Sequence, residues 1–475
     1  MSDRLDDARA RLAEHGQDHL LTFVDQLSPD RLDHLLGQIE ALDLDDIDAL
    51  IASHVRQRPA HEDTGTLEPA PVFHKPPTDA YDADAFIRMG EALIRDGRIA
   101  AFTVAGGQGT RLGWNGPKGT YPASVVTGKP LFRLFAEHIL ATGQKYGTRI
   151  PWYIMTSPMN DAETRAFFAD NNNFGLDRAD IVMFPQGTLP SIDAATGRLL
   201  LAAKDSLAVN PDGHGGSIRA LRESGAIEHM RARGVEQISY FQVDNPNVIA
   251  IDPLFIGLHA GAPESSGQMS SKMVPKAGPE EKVGVFCQAH GRTRVIEYSD
   301  LPEELAEARD DDGTLRFDAG NIAIHMLSVD FVESLTNDSS AFGLPYHRAD
   351  KKVPYIDLET GEHVEPEAPN AVKLETFVFD AIPLAEASIV LETDRTREFA
   401  PIKNATGVDS AETSHQLQSD RAGNWLEACG VNVARRDDGS VDAFIEISPL
   451  TALDPDDLRR ADLPDAVRSG DRIVL

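Results

Sequence analysis

At 475 residues, 41% of them hydrophobic, the chain can build a large central domain with smaller additions, and general disorder is excluded. A formal net charge of −31 excludes broad, nonspecific binding to nucleic acid or anionic membranes, which would be repelled at long range. A nucleotide substrate stays open, because a local basic pocket and a divalent cation can hold a triphosphate whatever the global charge.

The pattern from about Asp6 to Val55 is helical, with Leu20, Leu21, Phe23, Val24 and Leu27 as one apolar stripe. Ser28-Pro29 reads as an N-cap followed by proline in the first helical turn. Residues 56–82, rich in Pro, Gly, Thr and Asp, read as an extended connector, and a short helix is expected over Ala83–Arg95. The continuous apolar run Arg98–Ala105 is the first convincing strand. Further strands are expected at Ile150–Ser157, Asp180–Phe184 and Gln237–Val243, with helices around Leu131–Ile139 and over Asp161–Asn171. Strands alternating with helices indicate an α/β protein with a doubly wound, mostly parallel, Rossmann-like sheet. Short strands at Asp442–Ile447 and Arg472–Leu475 mark a small β-containing C-terminal domain. The expected organisation is therefore an N-terminal helical region and linker (1–97), a catalytic domain (98–403) and a C-terminal domain (404–475). Two cysteines without metal-ligand spacing exclude a disulfide framework. With neither a signal-peptide core at the N-terminus nor a membrane-length apolar run, the expected compartment is cytoplasmic.

The glycine-rich stretch Val104–Gly119 is the most informative. Gly106, Gly107 and Gly109 let the backbone approach a ligand closely and aim several N–H groups at one anion. Arg111 and Lys118 add local positive charge to an acidic protein. A dinucleotide fingerprint fails because its third glycine falls on Leu112, and a P-loop fails because Lys118 lies between Pro117 and Gly119. Asp244, just past the Gln237–Val243 strand, is placed either to hold a hard cation beside a triphosphate or to cap the next segment.

AGGQGTRLG followed by PKG resembles the signature of the UDP-sugar pyrophosphorylases, most closely the UDP-N-acetylhexosamine branch. The similarity runs in order from GQDHLLTFVDQL to the ISPL stretch and so covers nearly the whole chain. It implies a nucleotidyltransferase fold and the joining of UTP to a sugar 1-phosphate, with N-acetylglucosamine 1-phosphate as acceptor and Mg²⁺ or Mn²⁺ as cofactor. It further implies that Gly106 and Gly107 bind the nucleotide, that Gln186 selects uracil, and that Gly213 packs its backbone on the base. His214 would lie near nucleotide and sugar, although a histidine between glycines could equally be structural. Animal N-acetylhexosamine enzymes usually carry Asn there, and histidine is familiar from the UDP-glucose branch. Gly284, Glu297 and Asn321 match positions that hydrogen-bond the sugar, and Phe377 and Phe379 match aromatics lining the N-acetyl pocket. On periodicity alone those two would share one face of a core strand.

The implied reaction is in-line attack of the sugar phosphate oxygen on the α-phosphorus, with pyrophosphate leaving. Arg111 and Lys118 would stabilise the leaving group, Lys403 the transferring phosphate, and Asp244 would hold the metal. Glucose 1-phosphate and N-acetylgalactosamine 1-phosphate are alternative acceptors. A noncatalytic UDP-sugar sensor is the alternative from another class; it would not need Arg111, Lys118, Asp244 and Lys403 together.

Overall fold

The apolar runs expected as strands form a parallel core: β1 (Ile99–Val104), β2 (Trp152–Thr156), β3 (Ile181–Pro185) and β4 (Gln237–Gln242), in the order β4-β1-β2-β3. In this computed structural model residues 2–57, 65–337 and 343–475 are described; the 58–64 part of the expected connector lies outside them. The strands read as unbroken apolar runs because a parallel sheet is covered on both faces. Phe102, Trp152, Tyr153, Tyr240 and Phe241 are fully buried, and the Trp152 indole donates to Thr103 Oγ1 at 2.8 Å. The sheet continues through antiparallel pairings among β5 (Met269–Pro275), β6 (Val285–Ala289), β7 (Arg292–Ile296) and β8 (Ala319–Ser328), with β8 beside β4. The result is the mixed α/β architecture expected, built on a large, mostly parallel central sheet.

The helix Leu131–Tyr146 lays Phe132, Phe135 and Ile139 into the core of this sheet, and Gly147 ends it in the left-handed conformation. The helix expected at Ala83–Arg95 forms over those residues, capped by the Asp82 carboxylate on the Ala85 amide. It crosses the helix Pro253–Gly261 so closely that a Cβ at Gly90 would overlap the Pro253 carbonyl, and one at Gly257 the Phe86 carbonyl. No helix among the described residues is long and apolar enough to cross a membrane.

The chain forms two compact units. One comprises Met1–Asp63, Gly187–Ser217 and Asp338–Val378; the other comprises Thr64–Gln186, Ile218–Asn337 and Phe379–Leu475 and contains the large sheet. In the first, helices Ser2–Glu14, Pro29–Glu40 and Leu44–Leu50 share a core with Ile192, Leu199, Val372 and Leu374. The Gln17 amide binds the 197–199 backbone in both directions, donating to Gly197 O (3.2 Å) and accepting from Leu199 N (2.9 Å). The stripe Leu20–Leu27 is not one helix: Asp18–Leu21 and Val24–Gln26 are separate 3₁₀ turns. Ser28 stands at the cap position of Pro29–Glu40, but its hydroxyl makes no capping bond. In the second unit the C-terminal segment has a small core of its own around Leu426, Val441, Ile445 and Leu458. The Glu446 carboxylate ties that segment to Val126 N (2.9 Å) and Thr127 N (2.8 Å).

The helix crossing is directly testable. Gly257→Ala should destabilise the protein by about 1–3 kcal/mol through overpacking, read as a lower urea midpoint at unchanged slope; an unchanged midpoint would show that the crossing tolerates a methyl group.

Candidate active site

The glycine loop leaves β1 and folds back on itself. Gly109 N donates to Gly116 O at 2.9 Å, and Lys118 N to Gly107 O at 3.0 Å. Asn160, fully buried, braces the loop from outside by donating its amide to Ala105 O (3.1 Å) and Gly107 O (3.4 Å) while accepting from Ser157 N (2.8 Å). Glycine is required at two places for close approach. A Cβ on Gly106 would overlap the Gln186 side-chain oxygen, and one on Gly119 the Phe132 ring. Gly106 and Gln186 are thus brought together, with Gln186 buried and its backbone N–H donated to Thr156 O at 2.9 Å. Gly107 is exposed, and Arg111 is exposed on the turn Thr110–Leu112.

Lys118, Asp244 and Lys403 converge in the same unit. Lys118 Nζ lies 3.4 Å from Asp244 Oδ2, and both side chains are largely buried. Lys403 approaches Asp409 at 3.5 Å and lies over the Phe399 ring, 5.5 Å from its centroid. Burial pushes the Asp244 carboxyl upward, but Lys118 and Lys403 together pull it below the ordinary carboxylate range, so it is ionised at neutral pH. No group of three or more His, Cys, Asp or Glu among the described residues could hold a metal ion by itself. A lone ionised carboxylate suits a hard cation that takes its remaining ligands from phosphate and water.

Gly284, Glu297 and Asn321 also meet. Asn321 N donates to Gly284 O at 2.8 Å, and a Cβ on Gly284 would press on Val295 and on Glu297 Oε1. Asn321 Oδ1 accepts from Ala323 N at 3.0 Å and so braces a left-handed alanine, φ +54°, where β8 bulges opposite β5. Strain of this kind persists only where neighbours hold it, and it clusters at functional sites.

Gly213, His214 and Phe377 come together in the other unit. Gly213 has φ +85°, and a Cβ there would overlap the Thr376 carbonyl. The His214 ring stacks on Phe377 with centroids 5.2 Å apart, and Phe377 stacks on His347 at 4.4 Å. His214 Nδ1 accepts from Val378 N at 3.1 Å, which puts the ring proton on Nε2. Burial, with His347 nearby, lowers its pKa to about 4, so the ring is neutral. Phe377 and Phe379 do not share a strand face. The strand Ala371–Glu375 ends before them, and buried Phe379 belongs to the large-sheet unit. Asn160 and Asn245 escaped the sequence reading; their position just after a strand end beside a glycine loop or carboxylate was the available signal.

A family described as UTP–glucose-1-phosphate uridylyltransferase matches residues 84–418. Among curated proteins, UDP-N-acetylhexosamine pyrophosphorylase-like protein 1 of Homo sapiens is 36% identical, covering 94% of this chain and 92% of its own. The UDP-N-acetylglucosamine pyrophosphorylase of Saccharomyces cerevisiae is 39% identical over 73% of each chain. Among solved structures, the uridine diphosphate N-acetylglucosamine pyrophosphorylase from Trypanosoma brucei, in complex with an inhibitor, superposes with a TM-score of 0.81 at 27% identity, covering 98% of both chains.

The electrostatics of the Lys118–Asp244 pair make a prediction. Lys118→Met removes a cation that lowers the Asp244 pKa, so that pKa should rise, measured by carboxyl ¹³C titration; no movement would mean that the pair is not coupled. With its folded pKa lowered, Asp244 stabilises the protein above the unfolded carboxylate range and loses that contribution as the pH falls.

Proposed function

This chain belongs to the UTP–glucose-1-phosphate uridylyltransferase family, and from that premise we propose how its residues transfer uridylyl from UTP to N-acetylglucosamine 1-phosphate, giving UDP-N-acetylglucosamine and pyrophosphate. The observation that carries the reading is the convergence of Lys118 and Lys403 on the ionised Asp244 at the carboxyl end of β4, beside the glycine loop. Open α/β sheets bind ligands at this end.

Gly106 and Gly107 present backbone to the nucleotide, and the buried Gln186 amide can both donate to and accept from the imide edge of uracil. Lys118 and Arg111 take up the charge that develops on departing pyrophosphate, and Lys403 steadies the transferring phosphate. Gly284, Glu297 and Asn321 orient the sugar, where a carboxylate is a natural acceptor for hydroxyls. The family resemblance also assigns Gly213, His214, Phe377 and Phe379 to substrate. A neutral His214 brings no charge to the substrate. Asp244 would hold Mg²⁺ or Mn²⁺, which when bound neutralises phosphate charge. No protein nucleophile is required: the two substrates held in line are sufficient. We place the reaction in the cytoplasm, consistent with the two free cysteines.

Pyrophosphate release from UTP with a panel of sugar 1-phosphates tests the assignment. N-acetylglucosamine 1-phosphate should give the highest kcat/KM; preference for glucose 1-phosphate would overturn the choice of sugar, and no release with any of the sugars would overturn the enzyme. Lys118→Ala and Lys403→Ala should each lower kcat by about 10²–10³ while leaving the protein folded; near-normal turnover by either would remove that lysine from the mechanism.

A further inference from the structure

Lys272 lies in the middle of β5 and is 1% exposed. Its ammonium is 2.6 Å from Asp252 Oδ2 and 2.6 and 2.8 Å from the two Glu398 oxygens. Taking three charges out of water costs several kcal/mol per ion before the mutual attraction is counted, so such a cluster is a poor way to gain stability alone. What it fixes is geometry. Glu398 closes the short helix Arg395–Glu398, and the chain then runs through Phe399 to Lys403.

The start of that segment is fastened a second time. Asn245, adjacent to Asp244, donates to Glu398 O at 2.7 Å and accepts from Ala400 N at 3.0 Å. A third bond runs from Ile402 N to Asp244 O at 2.8 Å. The segment carrying Lys403 is therefore held at three points, twice by the Asn245 side chain and once by the Asp244 backbone, and its first point is anchored to β5 through the buried charges. We propose that the Lys272–Asp252–Glu398 cluster and Asn245 form a clip that sets the position of Lys403 relative to Asp244, making Lys272, Glu398 and Asn245 positioning residues for uridylyl transfer. The proposal rests on the reading of Lys403 as a phosphate-contacting group.

A structural role and a positioning role separate in a double-mutant cycle. Glu398→Gln keeps shape and removes one charge, and Asn245→Ala removes the two side-chain bonds while leaving the charge cluster intact. Each is made alone and in the Lys403→Ala background, with kcat, KM for both substrates and thermal midpoint measured. With Lys403 present, each should lower kcat at least about tenfold, since small misplacements of a reacting group are costly, while KM stays within about threefold. In the Lys403→Ala background the same changes should cost little more, because the residue they position is gone. Equal losses in both backgrounds, or a lowered midpoint with unchanged kcat, would overturn the clip. The two readings fail differently. Wild-type turnover by Lys403→Ala removes the role of Lys403 itself, whereas a crippled Lys403→Ala beside fully active Glu398→Gln and Asn245→Ala removes only the clip. If Glu398→Gln does not fold, Asn245→Ala alone decides.

Discussion

The parallel pairing of β4 with β1 is the constraint from which the chemistry follows. Gln242 lies opposite Val104, and Val243 N donates to Val104 O at 3.1 Å. That register delivers Asp244 alongside the glycine loop at the point where both strands end. The loop then doubles back so that Lys118, tied by its own N–H to Gly107 O, returns its ammonium to the same carboxylate. A slip of one residue in β4 would send Asp244 to the opposite face of the sheet. Buried strands on a covered parallel sheet resist such a slip, because every side chain on the displaced strand would change face with it.

The charge distribution follows a simple division of range. At −31 the protein repels polyanions from a distance, yet fields between exposed charges fade over about 8 Å at physiological ionic strength. Within that radius a few fixed cations decide what is bound. In the proposed mechanism Lys118, Lys403 and Arg111 supply those cations, and Lys118 is largely buried, where a Coulombic contact is stronger than in water. The same desolvation raises the Asp244 pKa, and the two lysines reverse that shift.

Much of this was legible in the sequence. The apolar runs at 98–105, 150–157, 180–184 and 237–243 became β1 to β4 because parallel strands buried on both faces need no alternation. The glycine loop, Lys118 and Asp244 announced themselves because local sequence fixes a loop at a strand end. Features assembled from distant segments did not. Nothing in the sequence pairs Asp252 and Lys272 with Glu398, far along the chain. The first compact unit draws on three separate segments, so periodicity within any one of them could not outline it. The two-residue spacing of Phe377 and Phe379 mimicked one strand face, but the strand stops at Glu375 and their surroundings differ.

In the proposed mechanism positioned cations and backbone, without a protein nucleophile, carry a single displacement at the α-phosphorus. The stereochemical course measures this directly. UTP made chiral at the α-phosphorus by sulfur substitution is turned over with N-acetylglucosamine 1-phosphate, and the configuration of the product is read by ³¹P NMR. One in-line displacement inverts the configuration; retention would require two displacements through a covalent uridylyl-protein intermediate and would contradict the assignment of Lys118, Lys403 and Asp244 as a purely electrostatic site.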